Sequence, residues 1–158
     1  MRCCCWLVFL LVSVLPACLS AQEKTNACTK ITSASYCNAR NTCGSPSNPC
    51  LVNVKRTGNS ASATPSTPEA KGNALFCVQT GTTVTWRTSS QDTGFLVNFG
   101  PASPFDSPGS IAGGTKKSVS VKAVKAGCFG FAFQATKSGA VRGMSQAAQG
   151  ELMVLGDQ

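Results

Sequence analysis

The chain has 158 residues, with 14 basic against 6 acidic side chains and a formal net charge of +8. Only 13% of its residues are charged while 42% are hydrophobic, which excludes a disordered polyelectrolyte and fits one domain with a packed core. It contains no histidine, so it lacks the side chain that most often works as a base near neutral pH or ligates transition metals.

Residues 1–21 read MRCCCWLVFLLVSVLPACLSA. A positive start at Arg2, an apolar run from Trp6 to Leu15, a break at Pro16 and small residues after it make a secretory signal peptide, with cleavage expected after Ala21. The run is shorter than the roughly 20 apolar residues that a membrane span needs. No comparable run follows, so no transmembrane span is expected, and the predicted location is secreted, extracellular or periplasmic. The stretch Leu15-Pro16-Ala17-Cys18 also approximates a lipoprotein box, with Cys18 as an alternative lipid anchor, although proline inside such a box is atypical.

Residues 22–50 form a cysteine-rich extension. Cys28, Cys37, Cys43 and Cys50 sit among Asn, Ser, Gly and Pro without apolar periodicity, so disulfides must fix this zone. Cys77 and Cys128 complete an even set beyond the leader, the pattern of a disulfide framework in an oxidising compartment. The gaps between the first four do not match zinc-binding pairs, and no C-x-x-C remains for redox catalysis. Cys77 and Cys128 both fall in predicted core strands, so the expectation is a Cys77–Cys128 bridge, with the other four cysteines paired among themselves.

From residue 51 to 158 the pattern is that of strands. LVNVKR (51–56) partly alternates; TGNSASATPSTPEAKGN (57–73) has no hydrophobic pattern and reads as a solvated loop. ALFCVQ (74–79) is a short strand, and TTVTWRT (82–88) sets Val84 and Trp86 against Thr83, Thr85 and Arg87. FLVNF (95–99) follows Gly94, and the Pro- and Gly-rich stretch from Gly100 to Gly114 reads as a sheet-to-sheet crossover. KSVSVKAV (117–124) opposes Val119 and Val121 to Ser118, Ser120 and Lys122; CFGFAF (128–133) puts Phe129, Phe131 and Phe133 on one face; ELMVL (151–155) closes the pattern. Short strands separated by turn residues predict an all-β, antiparallel Greek-key sandwich.

The stretch VQTGTTVTWRTSSQDTGFLVNFGPASPF (78–105) resembles the central signature of the cupredoxin family, and GCFGFAF followed by GELMV resembles its last two strands. The resemblance covers about residues 50–156 and rests on pattern and order. It implies a cupredoxin-like (plastocyanin-like) sandwich. In blue-copper members two histidines and a cysteine hold the metal, with a weak axial methionine. Here Phe95 stands at the first histidine position, Phe133 near the cysteine position and Thr136 or Lys137 near the second histidine, while only Met144 matches the axial ligand. Cys128 comes five residues too early. The implied protein is therefore a degenerate member without a metal or cofactor, in which Phe95 and Phe133 fill the vacated site as core. The alternative is an electron-transfer or copper-handling protein that uses cysteine thiolates and Met144.

The acids Glu23, Glu69, Asp92, Asp106, Glu151 and Asp157 form no catalytic motif, and no catalytic residue is assigned. Asp92 and Asp106 lie in loops that the pattern could bring to one end of the sandwich. Binding is the better expectation. Lys116, Lys117, Lys122 and Lys125 cluster on or beside one strand, and Lys55 and Arg56 are candidates to join them. Such a face suits an anionic envelope polymer, or another extracellular protein, as partner. The plain alternative is a strand kept soluble and edge-protected by lysines. Arginine is scarce and no exposed aromatic platform is evident, so nucleic acid is not expected.

Overall fold

The computed structural model describes residues 33–89, 91, 93–107, 109–137 and 145–156. The leader, the Cys18 anchor candidate, Cys28, Asp92, Met144 and Asp157 lie outside the described residues. Among the described residues, one helical turn, α1 (Ser33–Tyr36), is followed by nine strands: β1 (Cys50–Thr57), β2 (Ser60–Pro65), β3 (Phe76–Gln79), β4 (Thr83–Arg87), β5 (Thr93–Asn98), β6 (Ser110–Gly114), β7 (Val119–Lys122), β8 (Gly127–Lys137) and β9 (Ala148–Leu155). They form a four-stranded sheet, β2-β1-β4-β7, and a five-stranded sheet, β3-β9-β8-β5-β6. Among the described residues no helix is long and apolar enough to cross a membrane.

The all-β expectation holds, but the sheets are mixed rather than purely antiparallel. β1 pairs with β4 in parallel, and so does β3 with β9. The cause lies in the connections. The chain leaves the first sheet after the β1–β2 hairpin, lays β3 in the second sheet, and returns to place β4 beside β1. A parallel pair needs a crossover of this kind. Period-2 alternation reports which face of a strand is buried and says nothing of its direction.

Two stretches expected as loops contain strands. Within 57–73, Thr57 pairs with Ser60 across a two-residue turn whose first residue, Gly58, has φ +58°, the pattern of a type II′ hairpin. Ala61, Ala63 and Pro65 then point inward and are buried. Pro65 is tolerated because β2 is an edge strand. Within Gly100–Gly114, β6 pairs antiparallel with β5. Between β5 and β6 the chain visits the other sheet, where residues 104–106 pair beside the end of β7, then returns for β6, and the passage to β7 falls at residues 115–118.

The core lies between the sheets. Phe129, Phe131 and Phe133 face it together, as the alternation predicts. Trp86, fully buried on β4, meets Phe131 edge-on at 5.4 Å between ring centroids and Phe99 at 6.1 Å. Phe99 in turn packs on Phe105 and Phe131, each at 5.0 Å. Edge-on pairs of this kind add about 0.5–1.5 kcal/mol each beyond the burial of their area. This aromatic seam spans both sheets, since Trp86 belongs to one and Phe131 to the other.

The cysteine-rich zone is joined to the five-stranded sheet. The Cys77 N–H donates to Asn41 O at 3.0 Å, and the Cys43 N–H donates to Cys77 O at 2.7 Å, so residues 41–43 pair along the outer edge of β3. Cys43 bonds Cys50, the first residue of β1, and Cys37 bonds Cys77. The Cys37–Cys77 bridge overturns the expected Cys77–Cys128 bridge. In the register, Cys77 pairs with Met153 from one side of β9 and Cys128 pairs with Met153 from the other. The two cysteines are therefore two strand spacings apart, about 10 Å. A disulfide needs Cα atoms within about 7 Å. Cys128 is itself disulfide-bonded, to a partner outside the described residues.

Candidate functional site

Three regions carry the residues singled out by the sequence: the inner face where the resemblance places a metal, the outer face of the four-stranded sheet, and the outer face of the five-stranded sheet.

At the first region, Phe95 pairs with Ala135 and Val97 with Phe133. This register sets Phe95 and Phe133 diagonally adjacent on the inner face, where both are buried. The Phe95 ring lies against Gly113, where a Cβ would meet its Cζ at 2.5 Å and Lys117 O at 2.5 Å, so only glycine fits. Phe133 packs on Phe131 at 5.8 Å. Thr136 sits elsewhere: its Oγ1 accepts the Gly94 N–H at 3.0 Å, and Lys137 is exposed. The four positions thus do not converge; two aromatic rings fill the inner face and two polar residues lie away from it. Among the described residues no three His, Cys, Asp or Glu side chains are grouped closely enough to hold a metal ion.

The second region holds the basic residues singled out by the sequence. Lys116 lies within the tight turn that the Gly114 and Lys117 backbones close by exchanging hydrogen bonds. Lys122 ends β7, and Lys125 lies beyond it with its N–H donating to Pro104 O. Lys117 and Lys125 flank the strand at opposite ends, and Lys122 is the one lysine of the four on its outward face. Arg56 also leaves the expected group: its Nε donates to Gly58 O at 2.8 Å and its Nη1 to Ala135 O at 3.3 Å, so it ties the end of β1 to the other sheet.

What the pairing does bring together is Lys55 and Arg87. Asn53 on β1 is opposite Arg87 on β4, and Lys55 is two residues further on the same face. Arg87 was visible in the alternation of 83–87 as a polar-face residue, but its place beside β1 depends on the parallel pairing of strands far apart in sequence. The outward residues of this sheet are Ser62 and Thr64 on β2, Leu51, Asn53 and Lys55 on β1, Thr83, Thr85 and Arg87 on β4, and Ser120 and Lys122 on β7. Leu51 is the single apolar side chain among them. A hydroxyl contact of 2.9 Å links Thr85 to Ser120, and the Ser89 N–H donates to Asn53 Oδ1 at 3.2 Å. Asp106 stands at the rim, its Oδ1 accepting the Lys122 N–H at 2.9 Å, which also closes the free edge of β7. Asp106 is thus engaged by the backbone, and Asp92, the acid expected near it, lies outside the described residues.

The third region is covered differently. Cys77 and Met153 are buried there beneath Tyr36, Cys37, Leu75, Cys128 and Leu155. Cys37 Sγ lies 3.4 Å from Met153 Sδ, and the Tyr36 hydroxyl donates to Leu75 O at 2.8 Å. Next to this cluster runs a groove of about 630 Å³, floored by Gly130 and Ala132 and edged by Asn98, Gln149 and Glu151. Sequence reasoning missed the groove, because its floor is defined by the absence of side-chain volume at Gly130 and Ala132 on β8.

No family model matches the chain, and no curated protein matches it in sequence.

Proposed function

We propose that this chain is a secreted, non-catalytic binding module, cupredoxin-like in kind but without a copper site, whose basic sheet face contacts an anionic polymer of the cell envelope or extracellular space. The observation that supports this reading is the outer face of the four-stranded sheet. It carries Lys55, Arg87 and Lys122 among hydroxyl and amide side chains, and the nearest described carboxylate, Asp106, is engaged by a backbone N–H. A polar surface on which cations outnumber carboxylates attracts a polyanion by long-range Coulomb forces and holds it without a deep pocket. The cupredoxin-like kinship rests on the order of the strands and on the aromatic residues at the ligand positions. The thiolate copper-handling alternative is disfavoured by the chemistry of the cysteines, since all five described ones are disulfide-bonded.

The test is retention on heparin and on anionic envelope extracts at low and physiological salt. A Lys55→Gln/Arg87→Gln/Lys122→Gln variant is expected to elute at clearly lower salt than wild type. A Lys116→Gln/Lys125→Gln variant, which neutralises residues away from that face, is expected to shift less. The difference should shrink as the Debye length falls below about 10 Å. Equal elution of all three proteins would show that the cations only solubilise the sheet.

A further inference from the structure

We propose that the outer edge of β6 pairs with the outer edge of β6 in a second copy of this chain, making a two-fold dimer in which the two five-stranded sheets continue as one. The proposal concerns a strand edge and stands apart from the anionic-polymer reading, which concerns the outward face of the other sheet.

A strand at the margin of a sheet presents a row of unpaired N–H and C=O groups, a template for another chain. This sandwich has four such margins: β2, β7, β3 and β6. The chain itself engages the first three. On β2, the Asn73 N–H donates to Ala63 O and the Ala63 N–H donates to Asn73 Oδ1, both at 2.9 Å, and Asn73 takes a left-handed φ of 65° to do so. On β3, residues 41–43 pair with Cys77. On β7, Asp106 accepts the Lys122 N–H and donates its own N–H to Lys122 O, while Lys117 and Lys122 bracket the strand with charge.

β6 has none of these devices. The Thr115 N–H donates to Thr93 O, and the pairs Gly113–Phe95 and Ile111–Val97 continue that hydrogen-bonded series along β5. The N–H and C=O groups of Ser110, Ala112 and Gly114 therefore point away from the sheet. Gly114 exchanges its hydrogen bonds with Lys117. Those of Ser110 and Ala112 meet no partner among the described residues, and both residues are exposed. The strand reads SIAGG, without a charge or a proline to turn a neighbour away.

This edge is complementary to itself. In an antiparallel pair about a two-fold axis at Ile111, Ser110 of one copy stands opposite Ala112 of the other, twice over. Each such pair exchanges both of its N–H···O bonds, so every outward group of Ser110 and Ala112 is used. The register ends where the chain dictates. Gly114 is already committed, and Pro108, which would stand opposite it, has no N–H to give. The facing side chains are a serine and an alanine, small enough for two edges to close. The flanking charges favour the same sense. Asp106 and Lys116 lie five residues before and after Ile111, with no charged residue between them. Antiparallel pairing turns the acidic end of one edge toward the basic end of the other, whereas parallel pairing would set Lys116 beside Lys116.

Sedimentation velocity of the secreted protein, from low micromolar to about 1 mM, should show a concentration-dependent shift from monomer to dimer. A monomer across the whole range overturns the proposal. A Ser110→Lys/Ala112→Lys variant sets like charges directly opposite at both pairs and should weaken the dimer about fivefold or more. A Ser110→Lys/Ala112→Glu variant sets opposite charges at the same positions and should dimerise more strongly than the first. Equal dimerisation of the two variants places the contact elsewhere and overturns the proposal. Both positions are exposed, and far-ultraviolet circular dichroism matching wild type shows that the sandwich is intact in each variant.

Discussion

The two outer faces of this sandwich solve the same problem by opposite means. The four-stranded sheet is left open to solvent and is polar along nearly every outward position, with cations on three of its strands. The five-stranded sheet is apolar at one end of its outward face, and the chain folds its own cysteine-rich zone over Cys77 and Met153 there. The difference shows where constraint is placed. On the open face stability comes from what lies behind it, the buried Val52, Val54, Val84 and Trp86. On the covered face it comes from covalent bridges, because residues 33–49 supply almost no buried apolar volume of their own apart from Cys43 and half-buried Tyr36.

If that division is right, the largest loss of stability should come from the covered face. Cys37→Ser/Cys77→Ser opens a loop with a sequence separation of 40. The chain-entropy relation gives a cost of about 4 kcal/mol for a loop of that size. Urea unfolding followed by circular dichroism measures it, and retention on an anionic column should stay the same. A change in retention would show that the two faces are coupled. Cys43→Ser/Cys50→Ser removes a bridge with a separation of only 7. The same relation gives about 2 kcal/mol, so the ratio of the two losses checks whether the bridges act mainly through the unfolded chain.

On the open face, Lys55→Gln/Arg87→Gln/Lys122→Gln should change stability by no more than about 0.5 kcal/mol, since no part of the core depends on these exposed side chains. Binding and folding are then separable there, and a loss of several kcal/mol would deny that separation. The smallest effect belongs to the exposed pair Arg40–Glu69, 3.1 Å apart with side chains 75% and 53% exposed. Glu69→Gln should shift the urea midpoint barely at all, because exposed ion pairs contribute about 0–1 kcal/mol.

The strands with large inward residues were legible in the sequence: β4 through Val84 and Trp86, β7 through Val119 and Val121, β8 through its three phenylalanines. β2 and β6 were not, and the reason is physical. β2 faces the core with only Ala61, Ala63 and Pro65, and β6 has a single large inward residue, Ile111, beside Gly113. Such inward faces leave little hydrophobic contrast for alternation to show. The cysteine pairing was illegible for a different reason. Whether Cys77 can reach Cys128 depends on β9, the last strand, inserting between β3 and β8. The basic face shows the same limit. Lys55 and Arg87 are distant in sequence and sit on adjoining strands.

Trp86 has an optical consequence. The chain has two tryptophans, and the other, Trp6, falls in the predicted signal peptide, so a processed chain would keep Trp86 alone. Its indole N–H has no hydrogen-bond partner, and phenylalanine rings from the opposite sheet stand edge-on to it. An excited indole lowers its emission energy when nearby dipoles turn to follow it, and here there are few such dipoles to turn. The folded protein should therefore emit at the short-wavelength end of the tryptophan range. Because the ring belongs to one sheet and its walls to the other, any parting of the sheets should shift the emission to the red before the strands themselves are lost. The molecule carries its own gauge of inter-sheet spacing, readable without a label.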